Sequence, residues 1–260
     1  MYKRTSVVES RRALFLNRLT GALPQGYERL YFGSEFCCWS FPEAERIEAA
    51  LGAARAAGMA FTLATPVVAE DFLPGLRKTL DLIAPALQDG DEILLSDWGA
   101  LTLARAACPQ VPLVLGRVLS GQKRGPQILD LGLRGAALDY FRRGSWYGAH
   151  ARELLAELGI ARVELDNLLQ GVAALPAGLQ GSLHHPYAFV TSTRGCPWRP
   201  PGSRGPCGQP CGEVFSLISS REPGTLLQCG NTQFLENPRL PENLAELGID
   251  RLVFHPHLPR

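Results

Sequence analysis

Short apolar runs alternate along the chain with stretches whose apolar residues recur at helical spacing. Arg29-Leu-Tyr-Phe-Gly33 predicts a buried strand. Ala44 to Ala57 is an alanine-rich helix that ends at Gly58, with Pro42 where a first turn tolerates proline. Ala60-Phe-Thr-Leu-Ala64 is the next strand. Asp71 to Leu87 follows as a helix, with Pro74 in its first turn and Pro85 cutting it short. Glu92 to Ser96 is a strand, Gly99 to Ala107 a helix and Pro112 to Gly116 a strand. The rhythm resumes with a helix from His150 to Leu158, stopped by Gly159, and a strand from Arg162 to Asp166. Ala173 to Leu183 predicts a short helix around Pro176. Tyr187 to Thr191 and Glu213 to Leu217 read as strands, and Leu226 to Cys229 as a weaker one. Pro241 to Leu247 is a helix ended by Gly248, and Arg251 to Phe254 is the last strand.

Strands alternating with helices call for a parallel sheet with helical crossovers. About eight such units close into a (β/α) barrel of TIM type, and about 250 residues suffice for one. The 260 residues are therefore expected to form a single α/β barrel-like domain. An open doubly wound sheet is the alternative. The turn after the first strand, Tyr31-Phe-Gly-Ser-Glu-Phe, carries one glycine and no dinucleotide fingerprint, which weighs against it. Two regions interrupt the rhythm. Ser120 to Trp146 is polar and basic, and Gly195 to Gly212 is rich in Pro, Gly and Cys, a composition that excludes a helix or core strand.

A barrel carries its chemistry at the carboxyl ends of its strands. The residues there are Glu35, Thr65, Asp97, Arg117, Asp166 with Asn167, Thr191 with Thr193, Asn231 and His255. Asp97, Arg117 and Asp166 are the candidate catalytic set. Arg117 is suited to pairing a substrate carboxylate through two bonds. Lys123 and Arg124 add charge nearby, although a basic loop is more often simply solvated. In the strand from Arg162 to Asp166, Val163 and Leu165 point one way and Glu164 and Asp166 the other. Asp97 and Asp166 also suit the plainer role of capping the helices that follow them.

With 26 Lys+Arg against 25 Asp+Glu, the net charge is +1, which offers no footprint for duplex nucleic acid. The N-terminal residues Met1 to Arg12 are charged and lack the apolar run of a secretion signal. The longest charge-free apolar stretch, Ala56 to Ala69, is too short and too broken to span a bilayer. A cytoplasmic location is expected, where disulfides are disfavoured. The seven cysteines then ask for another explanation. Cys196, Cys207 and Cys211 follow a C-x10-C-x3-C spacing in a loop whose glycines and prolines let backbone fold tightly around an ion. Arg194, Arg199 and Arg204 offset thiolate charge. A [4Fe–4S] cluster normally takes four thiolates. Cys37, Cys38, Cys229 and Cys108 are the candidates for the fourth. Cys37 and Cys38 follow a strand at the end where the loop belongs, whereas Cys108 falls at the opposite end. Zinc is the alternative occupant, although only Cys207 and Cys211 form a knuckle of the usual zinc spacing.

Tyr31 to Cys37, the Asp97 turn, Gly116-Arg117, the cysteine loop, Glu213 to Leu217 and the Cys229-Gly-Asn231 turn fall in the order seen in the collagenase-like peptidase family of unassigned catalytic type. The chain resembles that family over nearly its whole length, and most of all its ubiquinone-biosynthesis branch. The resemblance implies a barrel-like fold and a [4Fe–4S] cluster on Cys37, Cys196, Cys207 and Cys211. It implies oxygen-independent hydroxylation of a quinone ring by a heterodimer with a homologous partner. The segment Gly121 to Pro126 has no counterpart in that branch. Three functions follow: a cluster-dependent hydroxylase or its redox subunit, a peptidase, and a non-catalytic partner with a structural cluster or zinc site. For the peptidase, the chain has neither an HExxH nor a G-x-S-x-G motif. His184 and His185 are candidate bases with no nucleophile placed beside them, and the plainer reading of the pair is a polar turn before a strand.

Overall fold

The computed structural model describes residues 10–203, 205–208, 211–218 and 224–259. Arg204 and the first nine residues, which figured in the reading of the loop and the N-terminus, lie outside the described residues. The chain runs β1 (Arg11–Leu16), β2 (Arg29–Gly33), α1 (Ala44–Ala56), β3 (Ala60–Ala64), α2 (Leu73–Ile83), β4 (Glu92–Leu95), α3 (Gly99–Ala107) and β5 (Leu113–Leu115). It continues through α4 (Gly135–Arg142), α5 (Ala149–Glu157), β6 (Arg162–Asp166), β7 (Gln180–His185) and β8 (Tyr187–Ser192). It ends with β9 (Phe215–Leu217), β10 (Leu226–Cys229), β11 (Thr232–Glu236) and β12 (Ile249–Phe254).

Among the described residues, eight parallel strands close a barrel in the order β1-β12-β7-β6-β5-β4-β3-β2, and β2 pairs back with β1. The fold is a TIM-barrel-type α/β fold, as its alternating pattern predicts. Along each strand one face packs outward under the helices. Leu30, Phe32, Phe61, Leu63, Ile93 and Leu95 meet Ile47, Leu76, Leu80 and Ile83 there. Fully burying each such side chain contributes about 1.5–3 kcal/mol. The inner face carries a small apolar set, Ala13, Phe15, Tyr31, Ala64, Leu94 and Val253. Between these lie buried polar groups: Glu164, Ser182, His184, Arg251 and His255.

The barrel departs from a full set of eight helical crossovers. The chain passes from β1 to β2 and from β6 to β7 without a helix, and between β7 and β12 it builds a second sheet. That sheet is antiparallel, in the order β8-β11-β10-β9. Tyr187 to Thr191, Glu213 to Leu217 and Leu226 to Cys229 are strands as expected, but they belong to this sheet. The cysteine-rich loop is carried between β8 and β9. The helix expected around Pro176 is absent from its place: Gln180 to His185 is a barrel strand instead. Its inward residues Ser182 and His184 are polar, so it lacks the apolar alternation of a strand. Pro241 to Leu247 forms turns rather than a helix. Among the described residues, no helix is long and apolar enough to cross a membrane.

At the rim, strands approach closely. Gly33, at φ +142°, sits where a Cβ would lie 2.2 Å from the Ala64 carbonyl oxygen, so the end of β2 needs glycine. The chain turns there into Ser34-Glu35-Phe36-Cys37, which puts the first candidate thiol beside the second sheet.

Candidate functional site

Cys37 begins a single turn of tight helix, Cys38–Ser40, just past β2. The Ser34 and Ser40 hydroxyls both donate to its carbonyl oxygen, at 3.0 and 2.9 Å, and hold the turn closed. Cys37, Cys196, Cys207 and Cys211 line one cavity together with Trp39, Trp198, Arg194, Arg199 and Asn231. All four cysteines are half-buried. Burial pushes the Cys37 thiol up, against the backbone N–H groups of Trp39 and Ser40, and Cys196 adds to the rise. The three other cysteines lie elsewhere. Cys38 borders an adjoining cavity of about 210 Å³ and is absent from the lining of the first. Cys229 packs with Phe36, Phe189 and Phe234. Cys108 is buried under the helices, where burial raises its thiol to about 11.

Two devices join the early turn to the late loop. The Asn231 side-chain amide donates to the Phe36 carbonyl at 2.9 Å and to the Thr193 carbonyl at 2.8 Å. The Arg199 guanidinium lies 5.7 Å from the Trp39 ring centre. Sequence reading placed Asn231 at a strand end but gave it no task. Its position in the β10–β11 turn lets one side chain reach both segments. Asn231→Ala is expected to cost about 1 kcal/mol, since the partly buried Phe36 carbonyl loses its donor while the exposed Thr193 carbonyl turns to water. It should also speed the reaction of Cys37 and Cys196 with a thiol reagent. Urea unfolding and thiol labelling measure the two effects.

Beneath this cavity, Arg117 is fully buried in the barrel mouth. Its guanidinium holds Glu35 through both carboxylate oxygens, Asp166 at 2.9 Å and the Tyr187 carbonyl at 3.3 Å. Arg124 donates to Asp166 at 2.8 Å and to the Arg117 carbonyl at 2.7 Å. The Phe189 amide adds a 2.8 Å bond to Asp166. Burial by itself would raise the Asp166 carboxyl, but Arg117, Arg124 and the Phe189 N–H outweigh it and hold it below the ordinary aspartate range. The same carboxylates raise Arg117 against the effect of its own burial. This network ties β2, β5, β6 and β8 together and anchors the second sheet on the barrel.

Arg117 and Asp166 thus meet. The expected pairing of Arg117 with a substrate carboxylate is corrected: protein acceptors already occupy its donors and it has no exposed surface. Asp97 stands in a different environment. It accepts from the Gly99 amide at 2.7 Å, at the start of α3, and from the Val68 amide at 3.3 Å, which is the capping role. The basic segment that begins at Gly121 is not simply solvated, because Gln122 and Arg124 are tied to Asp166.

His184 is no turn residue. It lies on β7 inside the barrel, with Nε2 at 2.6 Å from Glu164 and Nδ1 at 2.7 Å from His255 Nε2. Both nitrogens are engaged, so neither is available to activate a nucleophile, which removes the geometric basis for His184 as a peptidase base. Glu35 and His255 are the buried functional groups that the sequence places at strand ends without a role. No family model, curated protein or solved structure matches the chain.

Proposed function

We propose that the chain holds a [4Fe–4S] cluster on Cys37, Cys196, Cys207 and Cys211. The observation that carries this reading is that these four cysteines, one early and three late, line one cavity at the rim of the barrel. The donor set fits: four sulfur ligands suit a cluster, and the Arg194 and Arg199 guanidiniums border the same space to offset its charge. Spacing favours a cluster over zinc. A zinc tetrahedron with bonds of about 2.3 Å holds its sulfurs about 3.8 Å apart. Among the described residues, the one group of three or more ligand atoms lying within 4.8 Å of one another is Glu35, His184 and His255, which includes no cysteine.

When bound, such a cluster supplies one-electron chemistry at a half-open rim. The protein's own part is to bring the thiols together, through the Asn231 bridge and the Arg199–Trp39 contact, and to screen them with Trp39 and Trp198. On the resemblance to the ubiquinone-biosynthesis protein UbiV, the chain is a redox or hydroxylation subunit for oxygen-independent modification of a quinone ring. It would act in the cytoplasm and pair with a homologous, UbiU-like partner. Protein purified without oxygen is expected to be brown, with broad absorbance near ~400 nm and about four irons per chain. Iron, sulfide and zinc analysis decides the matter, and colourless protein with stoichiometric zinc would end the proposal. Co-purification of the chain with a tagged UbiU-like protein tests the partner.

A further inference from the structure

The barrel interior holds a chain of buried polar groups that the cysteine site does not use. Arg251 donates to the Tyr31 hydroxyl at 2.6 Å, and Tyr31 donates to Glu164 Oε1 at 3.0 Å. Glu164 Oε2 lies 2.6 Å from His184 Nε2, and His184 Nδ1 lies 2.7 Å from His255 Nε2. His255 stacks on Phe15, with ring centres 4.7 Å apart, and both border a cavity of about 40 Å³ beside Asn17, Arg18 and His257. That space has room for at least one water.

The direction of each bond follows from what each group can do. A guanidinium donates only, so the Tyr31 oxygen accepts from Arg251 and its own proton goes to Glu164 Oε1. A proton on the Glu164 carboxyl therefore sits on Oε2, facing His184. We propose that Glu164, His184 and His255 form a relay that carries one proton between the barrel interior and water in the rim cavity. In one state Glu164 is a carboxylic acid, His184 bears its proton on Nδ1, and His255 Nε2 accepts. In transfer outward, the Glu164 O–H bond breaks and an N–H bond forms at His184 Nε2. The His184 Nδ1–H bond breaks and one forms at His255 Nε2, and His255 Nδ1 releases its proton to water. The relay ends with a Glu164 carboxylate and two neutral imidazoles, so charge and protons balance.

The charges facing the relay suit this. Burial, then Arg117, keeps both imidazoles well below their ordinary range and hence neutral, with Asp166 opposing at His184. His185 and Arg251 act in the same direction as Arg117 at His184. Burial raises the Glu164 carboxyl to about 7, moderated by Arg251 and Arg162 and reinforced by Glu92. The mobile proton is thus the carboxyl's. A metal ion on Glu35, His184 and His255 would use the same atoms, but the geometry favours the relay. Arg117 already holds both Glu35 oxygens. The 2.7 Å separation of the imidazole nitrogens is an N–H···N distance. Two nitrogens on one tetrahedral zinc would stand about 3.3 Å apart.

The test is nitrogen NMR of the full chain labelled at histidine. The expected result is that His184 changes from the Nδ1–H to the Nε2–H tautomer as pH rises through about 7 and never becomes imidazolium. In Glu164→Gln the amide N–H replaces the acid O–H, and His184 stays Nδ1–H at every pH. His255→Phe, which keeps a ring against Phe15, removes the outward acceptor and should slow exchange of the His184 ring proton with water. A fixed wild-type tautomer, an imidazolium of ordinary midpoint, a switch that survives Glu164→Gln, unchanged exchange in His255→Phe, or stoichiometric binding of added zinc at these rings would each overturn the relay. If Glu164→Gln does not fold, the infrared band of a protonated carboxyl in carbon-labelled wild type replaces it: loss of that band near pH 7 supports the relay, and its absence at every pH rejects it. The relay stands apart from the cysteine reading, and iron analysis does not decide it.

Discussion

Anoxically purified Cys37→Ala is expected to retain less than about a quarter of the iron of the parent chain, because a [4Fe–4S] cluster normally takes four thiolates. Cys196→Ala, Cys207→Ala and Cys211→Ala should lose iron in the same way. Cys108→Ala should retain it all. Its thiol is buried among the helices, directed at the Leu80 carbonyl at 3.9 Å, and raised to about 11 by that burial. Cys38→Ala and Cys229→Ala are the more demanding controls. The first sits one residue from the proposed ligand and the second at the end of β10, two residues before Asn231, yet neither lines the cavity of the other four. The comparison measures place in space against place in sequence. Equal iron in the Cys37 and Cys108 variants would remove Cys37 from the ligand set, and iron loss confined to Cys38→Ala or Cys229→Ala would move the fourth ligand there.

Arg117→Met should destabilise the fold by about 3–5 kcal/mol, since it leaves the Glu35 and Asp166 carboxylates buried without their shared partner. Arg124 stays bonded to Asp166 and acts on Glu35 only through its field, without a direct bond to it. Denaturant unfolding measures the loss. Adding Glu35→Gln and Asp166→Asn to Arg117→Met should recover part of it, because the unpaired charges are then gone. No loss in the single variant would mean that the network contributes nothing to stability. The same site predicts an acid limb. Above the ordinary aspartate value of 3.8 the Asp166 carboxylate is charged whether the chain is folded or not, so its contribution is whole there. It is lost as pH falls through the lowered folded value. His184 and His255, held neutral well below 6.5, add a loss as pH drops past 6.5 and the unfolded imidazoles take up protons, while the raised Glu164 and Glu35 carboxyls, protonated in the fold before they are in the unfolded chain, offset that loss down to the ordinary value of 4.5. Asp166→Asn should flatten the lower part of this limb and leave the upper part.

Most of the barrel was legible because its outer face follows the rule that apolar residues alternate under helices. The strands at Arg29, Ala60 and Arg162 fall where their apolar positions put them, and α3 where Gly99 and Ala107 put it. What was not legible are the elements whose buried side is polar or whose partners are distant. β7 alternates Gly181 and Leu183 with Ser182 and His184, and a buried histidine looks no different in sequence from a solvated one. β1 begins with two arginines and shows its strand nature only by pairing with β2 and β12. β11, across Thr232–Glu236, is held by pairing with β8 and β10 as much as by its own composition.

The amino-acid sequence alone settled the fold class, because hydrophobic period is a local property that burial enforces residue by residue. It also singled out the cysteine-rich loop, whose Gly and Pro content rules out regular structure whatever surrounds it. Only the tertiary structure decided which cysteines share a cavity, that Arg117 is committed to Glu35 and Asp166, and that Glu164, His184 and His255 touch. Each of those facts joins residues about twenty to more than a hundred positions apart. Closing the barrel brings such residues within bonding distance, and no local pattern encodes where that closure takes them.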